Sequence, residues 1–140
     1  MSTAAIYLAD KSAHAQRSHS EIAAKRLDRE IRSGRLAVCE IVALELLYSA
    51  RNPGDYERVN TALSALPWVH TGREEMERAL EVQRLLARKG QHRRPLPDLI
   101  IAATAELSGL TVLHYDHDFD LIAEITGQPV EWIVARGTGG

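Results

Sequence analysis

Cysteine is almost absent from this sequence of 140 residues, in which Cys39 is the only one. A single cysteine cannot form an internal disulfide, and the place of Cys39 in the apolar stretch 36–39 indicates a small core residue. A chain of this length can bury a hydrophobic core without a disulfide or a structural metal. A reducing compartment suits this composition, and we expect a cytoplasmic protein.

Long hydrophobic runs and an excess of one charge are also missing. No apolar run approaches the roughly 18 residues of a membrane span, and the N-terminus lacks the basic and apolar regions of a signal peptide. We therefore expect a soluble protein with no membrane partner. Because 17 basic and 19 acidic residues give a net charge of -2, nucleic-acid binding would need a local basic patch.

The composition is typical of one globular domain. Hydrophobic residues make up 45% and charged residues 26% of a chain long enough to bury a core. We assign residues 1–136 to a single domain and residues 137–140 to a flexible, glycine-rich tail.

Strand-like and helix-like segments alternate along the chain. This order predicts an α/β fold of three layers, α/β/α, with a mostly parallel central sheet and right-handed crossovers. Segment 12–33 predicts either one amphipathic helix or a bent pair. The predicted strands are 4–9, 36–39, 110–115 and 130–134, with a short one at 68–70, and the other predicted helices are 41–50, 56–66, 74–89, the segment that opens at Asp98, and 121–126.

Acidic residues stand at the ends of these apolar elements. Asp10 follows the first strand, Asp116 follows a later one, and Asp98 opens a helix directly after Pro97. In parallel sheets the functional crevice lies beyond the carboxyl ends of the strands, so neighbouring strands would bring these acids together. The simpler alternatives are that Asp98 only complements the helix dipole, worth about 0.3–1 kcal/mol, and that Glu45 is a solvated edge residue of its helix.

Several carboxylates in one pocket repel each other unless a cation neutralises them. Hard oxygen ligands without a cysteine pair or a closely spaced histidine pair favour Mg²⁺ or Mn²⁺ over Zn²⁺. Such an ion can activate water for phosphodiester hydrolysis. The basic residues Arg88, Lys89, Arg93 and Arg94 precede Asp98 and are either a solvated loop or contacts for RNA phosphates.

Four acidic motifs, at 7–13, 43–46, 97–103 and 115–119, resemble those of PIN-domain ribonucleases, specifically VapC-type toxins of toxin–antitoxin pairs. The resemblance spans nearly the whole chain. It implies an endoribonuclease that acts on a structured RNA such as tRNA or rRNA, a cognate antitoxin (VapB-like) that occupies the active site, and a homodimer. The site residues it implies are the metal-binding acids Asp10, Glu45, Asp98 and Asp116, with Asp118 as a further metal ligand and Ser12 in support.

The sequence departs from the family pattern at Lys11, where a small hydroxyl residue is usual, and this affects the local hydrogen bonding more than the metal site. A haloacid-dehalogenase-like phosphatase would need a second aspartate at the position of Ser12, and a receiver domain would need an early acidic pair. Two alternatives remain open: a PIN-type RNA-processing nuclease without an antitoxin, and a non-catalytic RNA- or protein-binding module of the same fold. The four intact acids argue against the second.

Overall fold

A parallel sheet forms the centre of the molecule. The structure is a computed structural model that describes residues 5–137. Within this range four strands are ordered β2-β1-β3-β4, and each neighbouring pair is parallel. Their bounds are β1 Tyr7–Ala9, β2 Leu36–Ala37, β3 Thr111–His114 and β4 Val130–Trp132.

Seven α-helices connect the strands in the described part of the chain. None of them is long and apolar enough to cross a membrane. The predicted segment 12–33 is a bent pair, because a 3₁₀ turn at Gln16–Ser18 separates its two helices. The helices are α1 Lys11–Ala15, α2 Glu21–Arg32, α3 Glu40–Tyr48, α4 Pro53–Ser64, α5 Arg73–Ala87, α6 Leu96–Ser108 and α7 His117–Thr126.

Two hydrophobic cores cover the two faces of the sheet. Since successive side chains of a strand point to opposite faces, Leu8 and Val112 pack with residues of α3 to α7. Ala9 and Leu113 pack instead with residues of α1 and α2. The result is the predicted three-layer α/β/α arrangement.

Some predicted boundaries differ from the structure. Cys39 is buried as expected, but its extended backbone is the N-cap of α3, so β2 is shorter than the predicted strand. The predicted strand 68–70 is reduced to a bridge between Trp68 and Val38. Ala4 of the first predicted strand and residues 138–140 of the predicted tail lie outside the described residues.

Candidate active site

The sheet order brings the first two acids together. Strands β1 and β3 are neighbours and parallel, so their carboxyl ends lie side by side. Asp10 directly follows β1, and its backbone N–H donates to the carbonyl of Leu113 in β3 at 3.1 Å. Asp116 lies two residues beyond β3 and begins α7 as its N-cap. The predicted convergence of strand ends at one edge is therefore present.

Ser12 fixes the Asp10 carboxylate and links the two strand ends. Asp10 caps α1, and its Oδ1 accepts from the Ala13 backbone N–H at 3.2 Å and from the Ser12 hydroxyl at 2.6 Å. The same hydroxyl oxygen accepts from the Tyr115 backbone N–H at 2.8 Å. Lys11 is exposed. The hydrogen bonding that the Lys11 departure put in question is thus supplied by Ser12.

Asp98 lies in the first turn of α6, which begins after Pro95 and carries Pro97 in the same turn. Its side chain is buried, and within the described residues its Oδ2 has no hydrogen-bond partner. Burial raises the pKa of Asp98 to about 8, and the charges of Asp116 and Asp10 add to the effect. A contribution to the helix dipole alone would not require a buried, unpaired carboxylate.

Asp116 and Asp118 complete a close group with Asp98. One carboxylate oxygen from each of the three lies within 4.8 Å of the others. Asp116 Oδ1 also accepts from the Asp118 backbone N–H at 2.9 Å, which fixes the start of α7. The pKa of Asp118 is raised by burial and by the charge of Asp116. The three side chains therefore repel one another within one acidic pocket.

Asp10 and Glu45 border this pocket and are outside the close group of three. Burial raises the pKa of Asp10 to about 6, and the charge of Asp116 adds to it. Glu45 is half-buried on α3, and its charge contributes to the raised pKa of Asp98. The charges of the other four predicted acids all raise the pKa of Asp98, so the five carboxylates lie near one another.

The basic residues that precede Asp98 divide into two groups. Arg88, Lys89 and Arg93 are exposed. Arg94 is partly buried, and its Nη1 lies 2.6 Å from Asp118 Oδ1. The sequence predicted Arg94 as a contact for RNA, and in the structure its guanidinium reaches the acidic pocket itself.

His114 was not singled out from the sequence, although a histidine within an otherwise apolar strand was an available signal. It is the last residue of β3 and is completely buried. Its Nδ1 accepts from the Asp116 backbone N–H at 3.1 Å. It therefore lies directly behind the acidic pocket.

The donor set fits a divalent cation. The convergent atoms are carboxylate oxygens, the ligands that Mg²⁺ and Mn²⁺ prefer. The unpaired, buried Oδ2 of Asp98 is a second indication, because a buried carboxylate oxygen normally has a partner. Asp98, Asp116 and Asp118, with Asp10 beside them, could hold such an ion.

Comparison with known sequences identifies the family of this chain. The PIN-domain profile matches residues 3–125. Ribonuclease VapC21 of Mycobacterium tuberculosis is 48% identical over 134 residues, which cover 94% of this chain and 96% of that protein. Ribonuclease VapC18 of the same organism is 43% identical over 136 residues, covering 95% of this chain and 98% of that protein.

Solved structures show the same fold. The DNA-bound VapBC of Salmonella typhimurium aligns with a TM-score of 0.71 at 22% identity and covers 93% of this chain and 99% of that one. A toxin–antitoxin complex from Klebsiella pneumoniae aligns with a TM-score of 0.70 at 24% identity, covering 91% of this chain and 98% of that one. The chain therefore belongs to the PIN-domain family, and within it to the VapC group. This confirms both the resemblance found in the sequence and the predicted fold class.

Proposed function

We propose that this chain is the toxin of a toxin–antitoxin pair and hydrolyses structured RNA, such as tRNA or rRNA, with Mg²⁺ or Mn²⁺. The observation that carries the proposal is the convergence of Asp98, Asp116 and Asp118 within 4.8 Å. The relatives that are similar over nearly the full length of the chain are named ribonucleases. Such an enzyme would act in the cytoplasm, where its RNA substrates are.

Asp98, Asp116 and Asp118 hold the cation in this proposal, together with Asp10. A divalent ion in such a site lowers the pKa of a bound water and stabilises negative charge on the phosphoryl oxygens. Ser12 keeps the Asp10 carboxylate in place through its 2.6 Å hydrogen bond. The burial and mutual repulsion that raise the pKa of Asp98 make the pocket a strong attractor for positive charge.

Glu45 marks the side from which RNA would approach. It lines an open depression with Lys11, Leu44 and Tyr48, next to the acidic pocket. Both Leu44 and Tyr48 are largely exposed, at 64% and 90%. An exposed tyrosine beside a lysine can stack on an unpaired base while the lysine contacts a phosphate. This arrangement favours cleavage in an unpaired region of a folded RNA.

The purified protein is expected to cleave RNA only when Mg²⁺ or Mn²⁺ is present, and excess EDTA should stop the reaction. Because water is the nucleophile, a substrate with a 2′-deoxynucleotide on the 5′ side of the cleaved bond should still be cut. Gel analysis of end-labelled RNA measures both effects. Cleavage that persists in EDTA, or that requires the 2′-hydroxyl, would contradict the mechanism.

Arg88 and Arg93 are expected to bind RNA phosphates. Replacing both with alanine should weaken RNA binding for all sequences. The negative slope of log K against log salt should become shallower by roughly 0.7 to 0.9 for each phosphate that the variant no longer binds. Filter binding at several salt concentrations measures this slope.

Lys25→Ala is the matched control, since Lys25 is exposed on α2 and pairs with Glu21. If the double variant and this control gave the same slope as the wild type, the basic segment would be a solvated connector. Arg94 is left out of this comparison because its substitution also releases Asp118.

A homodimer and a VapB-like antitoxin complete the proposal. An apolar cavity of about 160 Å³ lies between α5 and α6, and Met76, Leu80 and Leu96 on its rim are exposed. A second copy of the chain could cover this surface. A different cavity, lined by residues of α1, α2, α3 and α4, suits the antitoxin.

A further inference from the structure

A hydrogen bond joins the buried ring of His114 to the backbone of Asp116. The Asp116 N–H donates to His114 Nδ1 at 3.1 Å. Because a backbone amide can only donate, Nδ1 must be the unprotonated nitrogen, and the proton of the neutral ring is on Nε2.

Neighbours on several sides hold this ring in place. The ring centroids of Phe119 and Trp132 lie 5.2 and 5.0 Å from that of His114. His114 Nε2 lies 3.7 Å from Asp120 Oδ1, which is too long for a hydrogen bond but favours the proton on Nε2. Asp120 in turn accepts from Trp132 Nε1–H at 3.1 Å. The ring orientation and its tautomer are therefore set by the same surroundings.

The same contacts fix Asp116 at two points. Its backbone N–H is bound by His114, and its carboxylate Oδ1 accepts from the Asp118 N–H. With both ends held, the Asp116 carboxylate is directed toward Asp98 and Asp118 before any ion binds. A residue that hydrogen-bonds to a metal ligand commonly fixes the orientation of that ligand in this way.

We propose that His114 is a positioning residue, which holds Asp116 ready for a divalent ion by accepting its backbone N–H. This inference rests on the proposed function, in which Asp116 is a metal ligand. The competing explanation is that His114 only fills space between Phe119 and Trp132. The positioning role requires a hydrogen-bond acceptor at the place of Nδ1, whereas space filling does not.

Two substitutions separate them. In His114→Asn the amide oxygen can take the place of Nδ1 and accept from Asp116, whereas in His114→Gln the amide group reaches the place of Nε2 and the acceptor near Asp116 is removed. We expect His114→Gln to weaken Mn²⁺ binding by about 10- to 100-fold, the usual effect of removing such a supporting bond, and His114→Asn to stay much closer to the wild type. Isothermal titration calorimetry with MnCl₂ measures the affinities.

A measurement on the wild-type protein tests the proposal even if neither variant folds. In ¹⁵N NMR spectra of the ion-free wild type, Nδ1 of His114 should carry no proton and should show coupling across the hydrogen bond to the Asp116 amide. A proton on Nδ1 would overturn the proposal, as would equal Mn²⁺ affinities of folded His114→Asn and His114→Gln. Failure of the wild type to bind Mn²⁺ at all would instead overturn the proposed function.

Discussion

Asp98→Asn is expected to abolish divalent-dependent RNA cleavage while the protein remains folded. The asparagine side chain has nearly the same shape, so the first turn of α6 and its packing should be retained. The charge of a buried oxygen ligand is removed, however, and stabilisation by the metal is worth several kcal/mol. We therefore expect cleavage to fall by about 10³-fold or more, measured with end-labelled RNA at saturating Mg²⁺.

The same substitution should make the ion-free protein more stable at pH 8. The pKa of Asp98 rises from an ordinary value of 3.8 to about 8 in the folded state, mainly by burial. Between these pH values the folded wild type holds a proton that the unfolded chain has released, so its stability falls as the pH rises from about 4 to 8. The asparagine variant avoids this loss, so urea unfolding in EDTA should show little difference from the wild type near pH 4 and a gain in stability that grows to several kcal/mol at pH 8.

Glu124→Gln is the matched control, because Glu124 is an exposed acid on α7. It should change neither cleavage nor the pH dependence of unfolding. A folded Asp98→Asn protein that cleaves RNA like the wild type would contradict the assignment of the metal site. A gain in stability combined with a loss of activity would show that the buried charge is retained for function at the expense of the fold.

The sequence predicted the layers of the fold well, because hydrophobic periodicity determines which segments are buried. It predicted the ends of strands less well, because a single residue there can belong either to the strand or to the loop or helix that follows. Cys39 is as apolar as its neighbours, but its backbone begins α3 and does not continue β2. Trp68 is suited to a strand, yet the short segment after α4 makes one bridge to Val38. Neither outcome depends on local residue preference alone.

The positions of three acids were predictable because each lies at the end of a buried element. Asp10 and Asp116 come after β1 and β3, whose parallel pairing brings them together, and Asp98 lies in the first turn of α6. The contact of Arg94 with Asp118 was not predictable, because it depends on how the loop before α6 folds back against α7. The histidine within an apolar strand marked His114 as unusual, but its proposed role was not predictable, since that role depends on which ring nitrogen faces the Asp116 backbone.

The antitoxin of the proposed function would need a groove for its apolar side chains, and one cavity of the structure suits it. A cavity of about 380 Å³ is lined by Leu46 of α3 and by apolar residues of α4, among them Val59 and Leu63. Arg17 and Arg58 also line it. A flexible antitoxin tail could place apolar side chains here and extend an arginine into the acidic pocket. Arginine is suited to that position because its planar guanidinium makes paired bonds to carboxylates.

An antitoxin of this kind is expected to compete with Mg²⁺ for the same carboxylate oxygens. The probe is the antitoxin that the proposed function predicts to be encoded beside the gene of this protein, and calorimetry measures its affinity. Added MgCl₂ should weaken antitoxin binding more than NaCl of equal ionic strength does. The two salts screen charges equally, so the additional effect of MgCl₂ measures competition for the carboxylates. Asp116→Asn should weaken binding by about 30-fold or more, since removing one partner of a buried charge pair costs about 2 kcal/mol or more. Glu124→Gln should bind like the wild type. An arginine bound in the pocket must lose affinity when the surrounding carboxylates are substituted or bound by Mg²⁺. If the affinity did not change with Mg²⁺ or with substitution of Asp10, Glu45, Asp98 and Asp116, the antitoxin would inhibit by blocking access of RNA.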